Sequence, residues 1–340
     1  MGTRFKIVLY ARDAEQGAQA SRAAFDRIAH LDEIMSDYRQ DSELMRLCAE
    51  AGGPPVKVSG DLFRVLGRSQ EISRLSDGAF DITVGPVVRL WRRARRMGEM
   101  PASEQLGEAL QLVGYQKIRM DSRARTIQLT RSGMLLDLGG IAKGFAADEA
   151  QVVLRRQGIR SALVAAGGDI AVSDAPPGEK GWTVGIASLE DKNGPAAEFL
   201  LLSNAGVSTS GDVEQFVEIG GKRYSHIVDP RTGVAIIGHS SATVVARDAT
   251  VSDGLATAIS AMGPERGLRL IDSLKGAAAL FMQASEQGFR QFESKRWKGV
   301  PKGKPRKKGG RESGGWESGR KKVAGRRSQV AGRKSRPHDA

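Results

Sequence analysis

The chain has 340 residues, of which 40% are hydrophobic, enough for one large domain or two small ones with a buried core. No apolar run approaches the roughly 20 residues that a transmembrane helix needs, so the sequence predicts no membrane-spanning segment. The single cysteine, Cys48, excludes an internal disulfide and any metal site built from several thiolates.

The net charge of +13 is concentrated at the C-terminal end. Between Lys298 and Ala340, 15 lysines and arginines face three acidic residues, so the rest of the chain is nearly neutral. This end has almost nothing apolar to bury. The sequence therefore predicts a folded domain over 1–297 and a disordered tail rich in Lys, Arg, Gly and Ser over 298–340. The neutral body argues against a nucleic-acid-binding domain.

Apolar periodicity predicts strands and helices mixed along the folded part. A strand over 4–10 and a long helix over 14–36 come first, followed by a loop that carries Tyr38. A helix opening near Ser252 and a closing helix and strand over 264–282 come last. Between them we predict helices over 62–76, 104–112 and 145–156, and strands over 117–120, 126–129, 134–138, 163–166, 182–187, 197–202, 215–218 and 241–246. This order predicts an α+β fold with a mixed β-sheet core and helices.

A glycine-rich turn follows the strand predicted over 134–138. The turn reads Gly139-Gly140-Ile141-Ala142-Lys143-Gly144 and opens a helix. Glycines allow backbone groups to approach a phosphate, a helix N-terminus adds partial positive charge, and Lys143 adds a full charge. The segment matches neither a P-loop nor a GxGxxG motif. The alternative is that the glycines merely pack a strand against a helix.

A second motif lies at 248–258, where Ser252 is predicted to cap a helix that begins at Asp253. Asp253 and Thr257 are four residues apart and share one helix face. A carboxylate beside a hydroxyl offers oxygen ligands to a phosphate-bound Mg²⁺. The alternative is that Asp253 only complements the helix dipole and Thr257 bonds back to the backbone.

A third group contains Asp212, in the segment 208–212, and His226, in the segment 224–233. The residues Asp229-Pro230-Arg231-Thr232-Gly233 are typical of a turn, and His226 precedes them on a predicted strand. A histidine without identified partners is more often structural than functional. Tyr38 is an aromatic residue in a polar loop, where it could stack on a planar ring or pin the loop.

Taken in order, these motifs resemble the FAD:protein FMN transferase family, the ApbE-like proteins, over residues 1–297. Several spaced motifs in one order are far harder to obtain by chance than any single one. The resemblance rests on the segments 1–3, 35–47, 77–91, 136–148, 165–169, 208–212, 224–233 and 252–258.

The resemblance implies two lobes with an FAD site between them and Tyr38 against the flavin or adenine ring. It implies Mg²⁺ held by the backbone carbonyl of Gly140 together with Asp253 and Thr257. The residues implied to contact FAD are Met1, Tyr38, Ala79, Phe80, Asp81, Asp137, Lys143 and Ile227.

The reaction implied is Mg²⁺-dependent transfer of FMN from FAD, as substrate, to a threonine or serine hydroxyl of an acceptor protein, with release of AMP. His226, Asp212 and Asp253 are the candidate catalytic residues, and the sequence does not choose a general base among them. Family acceptors carry an Asp-Gly-x-Ser/Thr-Gly-Ala-Thr motif, as in subunits of membrane redox complexes. The sequence of this chain lacks that motif.

Two other uses of the same site are a Mg²⁺-dependent FAD pyrophosphatase, with water as acceptor, and a non-catalytic flavin-binding module. The basic tail could bind nucleic acid or an anionic membrane, although a solvated tail is favoured. As the sequence stands, too few apolar residues follow Met1 for a signal peptide, which predicts a cytoplasmic protein. Family members usually carry an export signal, so a leader upstream of Met1 would instead predict a periplasmic, membrane-anchored lipoprotein.

Overall fold

The computed structural model describes residues 2–189, 196–212, 215–286 and 288–304. Met1, implied to contact FAD, and most of the predicted basic tail lie outside the described residues. The packed chain continues beyond the boundary predicted after Trp297, because Lys302 forms a β-bridge with Leu200 and its ammonium lies 4.7 Å from the centre of the Trp297 ring.

The helices of the described chain include all those that the apolar periodicity predicts. In α1, the N-terminal cap is Asp13, whose side chain accepts a hydrogen bond from the Gln16 N–H. Ala24, Ile28 and Leu31 recur on one face of α1 and are buried, as the spacing predicts. The helices are α1 (Ala14–Met35), α2 (Glu43–Ala49), α3 (Gly60–Leu75), α4 (Gly85–Met97), α5 (Ser103–Gln111), α6 (Ala142–Arg156) and α7 (Ala249–Ser273).

The strands are short and most follow one another through tight turns. They are β1 (Phe5–Tyr10), β2 (Val56–Lys57), β3 (Ile118–Asp121), β4 (Thr126–Leu129), β5 (Ser161–Ala166), β6 (Asp169–Val172), β7 (Trp182–Ile186), β8 (Glu198–Leu202), β9 (Ala205–Gly211), β10 (Phe216–Ile219), β11 (Lys222–Val228), β12 (Ala235–Ile237), β13 (Ser240–Ala246), β14 (Ala278–Ser285) and β15 (Gly288–Glu293).

The centre of the molecule is a seven-stranded sheet with the order β1-β5-β6-β9-β13-β14-β15. Its strand pairings are antiparallel throughout, where the sequence predicts a mixed sheet. In β13, Val244 is paired with Ser208 of β9 on one side and with Ala279 of β14 on the other. The α+β class predicted from the sequence is confirmed.

The helices α1, α6 and α7 cover one face of this sheet, and the hairpin β7–β8 covers the other. Alternating side chains along the strands supply both cores, which is how a sheet buries apolar residues on two faces. A separate apolar cluster joins α4 and α5 to the three-stranded sheet β10-β11-β12, where Trp91 packs against Tyr224 with ring centroids 5.3 Å apart. The candidate site lies where this smaller unit meets α6 and α7.

The strand predicted over 134–138 is wrong, because this segment is extended but pairs with no strand in the described chain. Its backbone N–H groups are used elsewhere: that of Leu136 donates to Cys48 Sγ at 3.3 Å, and that of Asp137 donates to the Ile82 carbonyl at 2.7 Å. The segment therefore satisfies its polar groups without a ladder. In the described residues, no helix is both long and apolar enough to cross a bilayer.

Candidate functional site

The glycine-rich turn before α6 brings the backbone against α7. A Cβ on Gly140 would lie 2.8 Å from Thr257 Oγ1, and a Cβ on Gly144 would lie 2.2 Å from the carbonyl oxygen of Ala249. Contacts this short exclude a side chain at either position. Gly144 therefore has the packing role considered as the alternative, whereas Gly140 contacts a candidate metal ligand.

Helix α7 begins about one turn earlier than predicted. Asp248 is its cap and accepts a hydrogen bond from the Val251 N–H at 2.8 Å. The prediction of Ser252 as the cap is wrong, since Ser252 lies inside the helix with its Oγ 2.8 Å from Ser208 Oγ on β9. The earlier start places the candidate metal ligands in the second and third turns, beyond the capped end.

Asp253 and Thr257 share one face of α7, as their spacing predicts, and Gly140 approaches the same face. The Asp253 side chain is buried and its Oδ2 accepts a hydrogen bond from the Gly144 N–H at 3.0 Å. Asp253 offers a carboxylate, Thr257 a hydroxyl and Gly140 a backbone carbonyl. These are hard oxygen ligands of the kind that Mg²⁺ takes. These residues fit Mg²⁺ when phosphate and water complete the coordination.

The described chain contains no group of three or more His, Cys, Asp or Glu side chains that could hold a metal ion by themselves. A site with so few protein carboxylates suits a cation that arrives with, or is completed by, a phosphorylated ligand. The donor set is therefore more typical of substrate-bound Mg²⁺ than of a structural metal.

Lys143 lies beside two buried carboxylates. Its Nζ is 2.5 Å from Asp169 Oδ2 and 3.7 Å from Asp253 Oδ1. Burial would lower the pKa of Lys143, but the charges of Asp253 and Asp169 outweigh it and raise that pKa. Burial and the charge of Asp169 raise the pKa of Asp253, while Lys143 opposes the shift. One lysine thus shares its charge between two carboxylates, and a second cation near Asp253 would be electrostatically favoured.

Arg92, on α4, links the two acidic residues nearest to Tyr38. Its Nη2 lies 2.8 Å from Asp137 Oδ2, its Nη1 lies 2.5 Å from Asp37 Oδ2, and its guanidinium carbon lies 4.7 Å from the centre of the Tyr38 ring. Tyr38 remains 70% exposed. The loop predicted around Tyr38 is therefore held by Arg92 with most of the ring open to a planar ligand.

Of the residues 79–81, which are predicted to contact FAD, Phe80 has a contact with the glycine turn. The ring of Phe80 reaches the turn, with its Cε2 3.2 Å from where a Cβ on Gly140 would lie. Ala79 and Asp81 are buried. Asp81 Oδ1 accepts hydrogen bonds from the Thr83 N–H at 2.8 Å and from Thr83 Oγ1 at 2.7 Å, so this oxygen caps a local turn.

His226 lies on β11, and its Nδ1 is 3.2 Å from the carbonyl oxygen of Gln215. Burial is the largest influence on the pKa of His226 and, together with the positive charges of Arg95 and Lys143, lowers that pKa to about 4. The imidazole is therefore neutral at neutral pH, the form that accepts a proton. The neighbouring Ile227, implied to contact FAD, is buried in the strand.

Asp212 is buried and its contacts are local. Its Oδ1 lies 2.8 Å from His239 Nδ1 and accepts from the Ser240 N–H at 3.0 Å, while its Oδ2 is paired with Arg223. His239 Nε2 lies 2.9 Å from the carbonyl oxygen of Leu189. Both Asp212 oxygens are engaged, so these contacts favour a structural role over the predicted candidacy as general base.

The sequence indicates no role for Arg92 and Asp169, which contact residues of the site, or for Arg95, whose charge acts on them. The two arginines belong to the run of basic residues at 89–96, and the density of positive charge there was a usable signal. Asp169 follows Gly167-Gly168, a turn that gives no indication of contact with Lys143.

A protein-family model described as the ApbE family matches residues 1–281. The FAD:protein FMN transferase of Haemophilus influenzae is 31% identical over 299 residues, which cover 85% of this chain and 86% of that protein. The FAD:protein FMN transferase of Treponema pallidum is 33% identical over 297 residues, which cover 83% of this chain and 82% of that protein.

Solved structures agree with these similarities. The Pseudomonas stutzeri flavinyl transferase ApbE, in its apo form, superposes with a TM-score of 0.77 at 29% identity, covering 88% of this chain and 94% of that one. The flavin transferase ApbE from Vibrio cholerae superposes with a TM-score of 0.75 at 28% identity, covering 88% of this chain and 96% of that one.

Proposed function

This chain belongs to the ApbE family, and on that premise we propose that it transfers the FMN half of FAD to a threonine or serine hydroxyl of an acceptor protein, releasing AMP. The observation that carries the proposal is the contact of the glycine turn with α7, where Gly140 meets Thr257 and Lys143 lies 3.7 Å from Asp253. These groups come from segments far apart in sequence, and together they offer oxygen ligands and positive charge to a diphosphate.

Gly140, Asp253 and Thr257 would hold Mg²⁺. When bound, Mg²⁺ would offset the charge of the diphosphate and polarise the phosphorus under attack. Lys143 would also offset the charge of the diphosphate, because its ammonium is fixed by Asp169 and remains positively charged at neutral pH. Both contributions favour a transition state in which negative charge grows on phosphate oxygens.

In the transfer, the acceptor hydroxyl oxygen forms a bond to the FMN phosphorus, and the bond from that phosphorus to the bridging oxygen breaks. The electron pair leaves with AMP, and the hydroxyl proton must pass to a base. Both oxygens of Asp212 are already engaged and Asp253 would hold Mg²⁺, which leaves His226, whose imidazole is neutral at neutral pH. We therefore assign the base to His226.

Recognition of FAD would use Tyr38, whose exposed ring can stack on a planar ring system while Arg92 holds it from the other side. The acceptor in this proposal carries an Asp-Gly-x-Ser/Thr-Gly-Ala-Thr motif, as in subunits of membrane redox complexes. This motif is absent from the chain itself, so the acceptor is a separate protein.

The test is to incubate the purified protein with FAD, MgCl₂ and an acceptor fragment that carries the motif, and to measure acceptor mass and released AMP. We expect the acceptor to gain one FMN. Asp253→Asn should lower the rate by at least about 100-fold, because the buried ligand loses its charge. Glu265→Gln, which removes an exposed carboxylate from the part of α7 beyond the break at Gly263, is the control and should leave the rate unchanged.

Release of FMN and AMP with the acceptor unmodified would instead indicate a pyrophosphatase that uses water. Binding of FAD without any turnover would indicate a flavin-binding module. An Asp253→Asn variant as active as the wild type would contradict the metal site. A second check uses the wild-type protein with a chelator and without MgCl₂. Its transfer rate should fall as far as that of Asp253→Asn.

A further inference from the structure

Helix α4 carries five arginines that differ in their surroundings. Arg89, Arg93 and Arg96 are exposed on its outer face, as is usual for charged side chains. Arg92 is partly buried and is paired with two carboxylates. Arg95, one turn further along the same face, is also partly buried, but no ion pair with it occurs within the described ranges.

The guanidinium of Arg95 is unsatisfied at one nitrogen. Its Nη1 is buried and has no hydrogen-bond partner among the described residues. A guanidinium keeps its charge at every physiological pH and presents five N–H donors. Burying such a donor without an acceptor costs stability, because the water that it gave up is not replaced. Because Arg95 as a whole is only partly buried, a ligand can still reach the rest of its guanidinium and supply acceptors that the described residues do not.

Arg95 lies one turn along α4 from Arg92, which contacts Tyr38 and Asp137. The charge of Arg95 acts on the pKa values of Tyr38, Asp137 and His226, so its guanidinium lies within electrostatic reach of all three. Burial and the charge of Asp37 raise the pKa of Asp137, and the charges of Arg92 and Arg95 oppose that shift. The charge of Arg95 thus acts both on the ring-stacking side of the site and on the candidate base.

The other cations of the site are already compensated. Arg92 is shared between Asp37 and Asp137, and Lys143 lies against Asp169 and Asp253. Arg95 is therefore the cation of this group that forms no ion pair with a described carboxylate. The isoalloxazine ring, the ribityl chain and the adenosine of FAD are uncharged at neutral pH, whereas its diphosphate is anionic.

We propose that Arg95 binds a phosphate group of FAD and thereby selects a diphosphate-bearing flavin over one that lacks phosphate. This inference rests on the proposed function, since it takes FAD as the ligand. The planar fork of a guanidinium matches two phosphate oxygens, and the partly buried position strengthens such charge-assisted hydrogen bonds. Arg95 would act in binding and orientation, and not in proton transfer.

The test compares Arg95→Met with Arg96→Met, which removes an exposed arginine from the next position of α4. The dissociation constants of FAD and of riboflavin are measured for each protein by flavin fluorescence at one MgCl₂ concentration. We expect Arg95→Met to weaken FAD binding by about 10-fold to 100-fold, the effect of losing charge-assisted hydrogen bonds. Riboflavin binding should be unchanged, and Arg96→Met should bind both ligands like the wild type.

Thermal unfolding without ligand distinguishes binding from support of the fold. Because Nη1 has no partner to lose, Arg95→Met should melt at the wild-type temperature or above it. Arg95→Lys, which keeps the charge without the planar fork, should give an FAD affinity between those of wild type and Arg95→Met.

Wild-type affinity for FAD in Arg95→Met would overturn the inference. An equal loss of FAD and riboflavin binding would also overturn it, because it would point to damage to the ring pocket. If the wild-type protein binds FAD but leaves every acceptor unmodified, the proposed transfer is rejected. The comparison of FAD with riboflavin would still decide the role of Arg95. Wild-type protein that does not bind FAD would reject both.

Discussion

Gly140 and Thr257 approach so closely that a Cβ on Gly140 would lie 2.8 Å from the Thr257 hydroxyl oxygen and 3.2 Å from the Phe80 ring. The backbone of the glycine turn is therefore in direct contact with the α7 face that carries Asp253. The close approach, rather than an unusual backbone conformation, is what requires glycine here, since Gly140 is not among the residues with positive φ.

We expect Gly140→Ala to disrupt the candidate metal site. The new methyl group must displace Thr257 or Phe80, which should lower the free energy of unfolding by about 1–3 kcal/mol. Transfer should fall by at least about tenfold because Thr257 would be moved. Gly107→Ala is the control: it adds a methyl group on α5 with nothing within 4 Å and should raise stability by about 0.5–1 kcal/mol. Urea unfolding and the acceptor assay measure both effects.

Arg92→Met should release the loop that carries Tyr38. The change leaves Asp37 and Asp137 without their shared cation, and we expect a loss of about 1–3 kcal/mol in the free energy of unfolding. FAD binding should weaken as well, because the Tyr38 ring loses its support. Arg93→Met, at an exposed position of the same helix, should change neither quantity. Wild-type stability in Arg92→Met would contradict the role given to this residue.

His226 should impose a pH dependence on stability. Its pKa is lowered from the ordinary value of 6.5 to about 4 in the folded protein. The unfolded chain therefore binds the proton first, and stability from this group is present above pH 6.5 and lost as the pH falls towards 4, with a slope of at most about 1.4 kcal/mol per pH unit. The free energy of unfolding of His226→Gln should vary less with pH across this window than that of the wild type.

The same variant tests the assignment of the base. His226→Gln should slow transfer to the acceptor by about 100-fold to 10,000-fold at neutral pH, the usual contribution of a positioned base, while FAD binding changes little. Transfer by His226→Gln at the wild-type rate would move the role to another group.

Asp212→Asn should affect the fold more than the chemistry. The substitution breaks the buried pair with Arg223 and weakens the contact with His239, so we expect the free energy of unfolding to fall by about 2–4 kcal/mol. At a temperature where the variant stays folded, its rate of transfer should remain within about threefold of wild type. A rate that falls as far as in His226→Gln, with unchanged stability, would instead support Asp212 as the base.

Local patterns were enough to anticipate part of the site. Asp253 and Thr257 are brought together by the helix period itself, so their spacing in the sequence predicts a common face. The start of α7 was not predicted, because Asp248 and Ser252 are both good capping residues and only the contact of Ser252 with Ser208 of β9 decides between them. The α+β class followed in the same way from the order of strands and helices.

Contacts between distant segments could not be read from local patterns. Arg92 joins Asp37, from the end of α1, to Asp137, from the turn before α6, and no periodicity relates these three positions. The segment 134–138 is apolar except for Asp137, as a buried strand can be. Its backbone donates instead to the Cys48 side chain and to the Ile82 carbonyl, not to a neighbouring strand. Both outcomes depend on tertiary packing, which outweighs local propensity.

The hydroxyl contacts between β9 and α7 also bear on the order in which the protein assembles. Ser208 Oγ meets Ser252 Oγ at 2.8 Å, and Ser210 Oγ meets Thr257 Oγ1 at 3.3 Å, so a single strand sets how far α7 lies along the sheet. That strand is itself fixed by pairing with β6 and β13. We expect the metal ligands to reach their final register only after these long-range pairings have formed. A chain from which β9 is deleted would keep the ligands but lack the strand that aligns them.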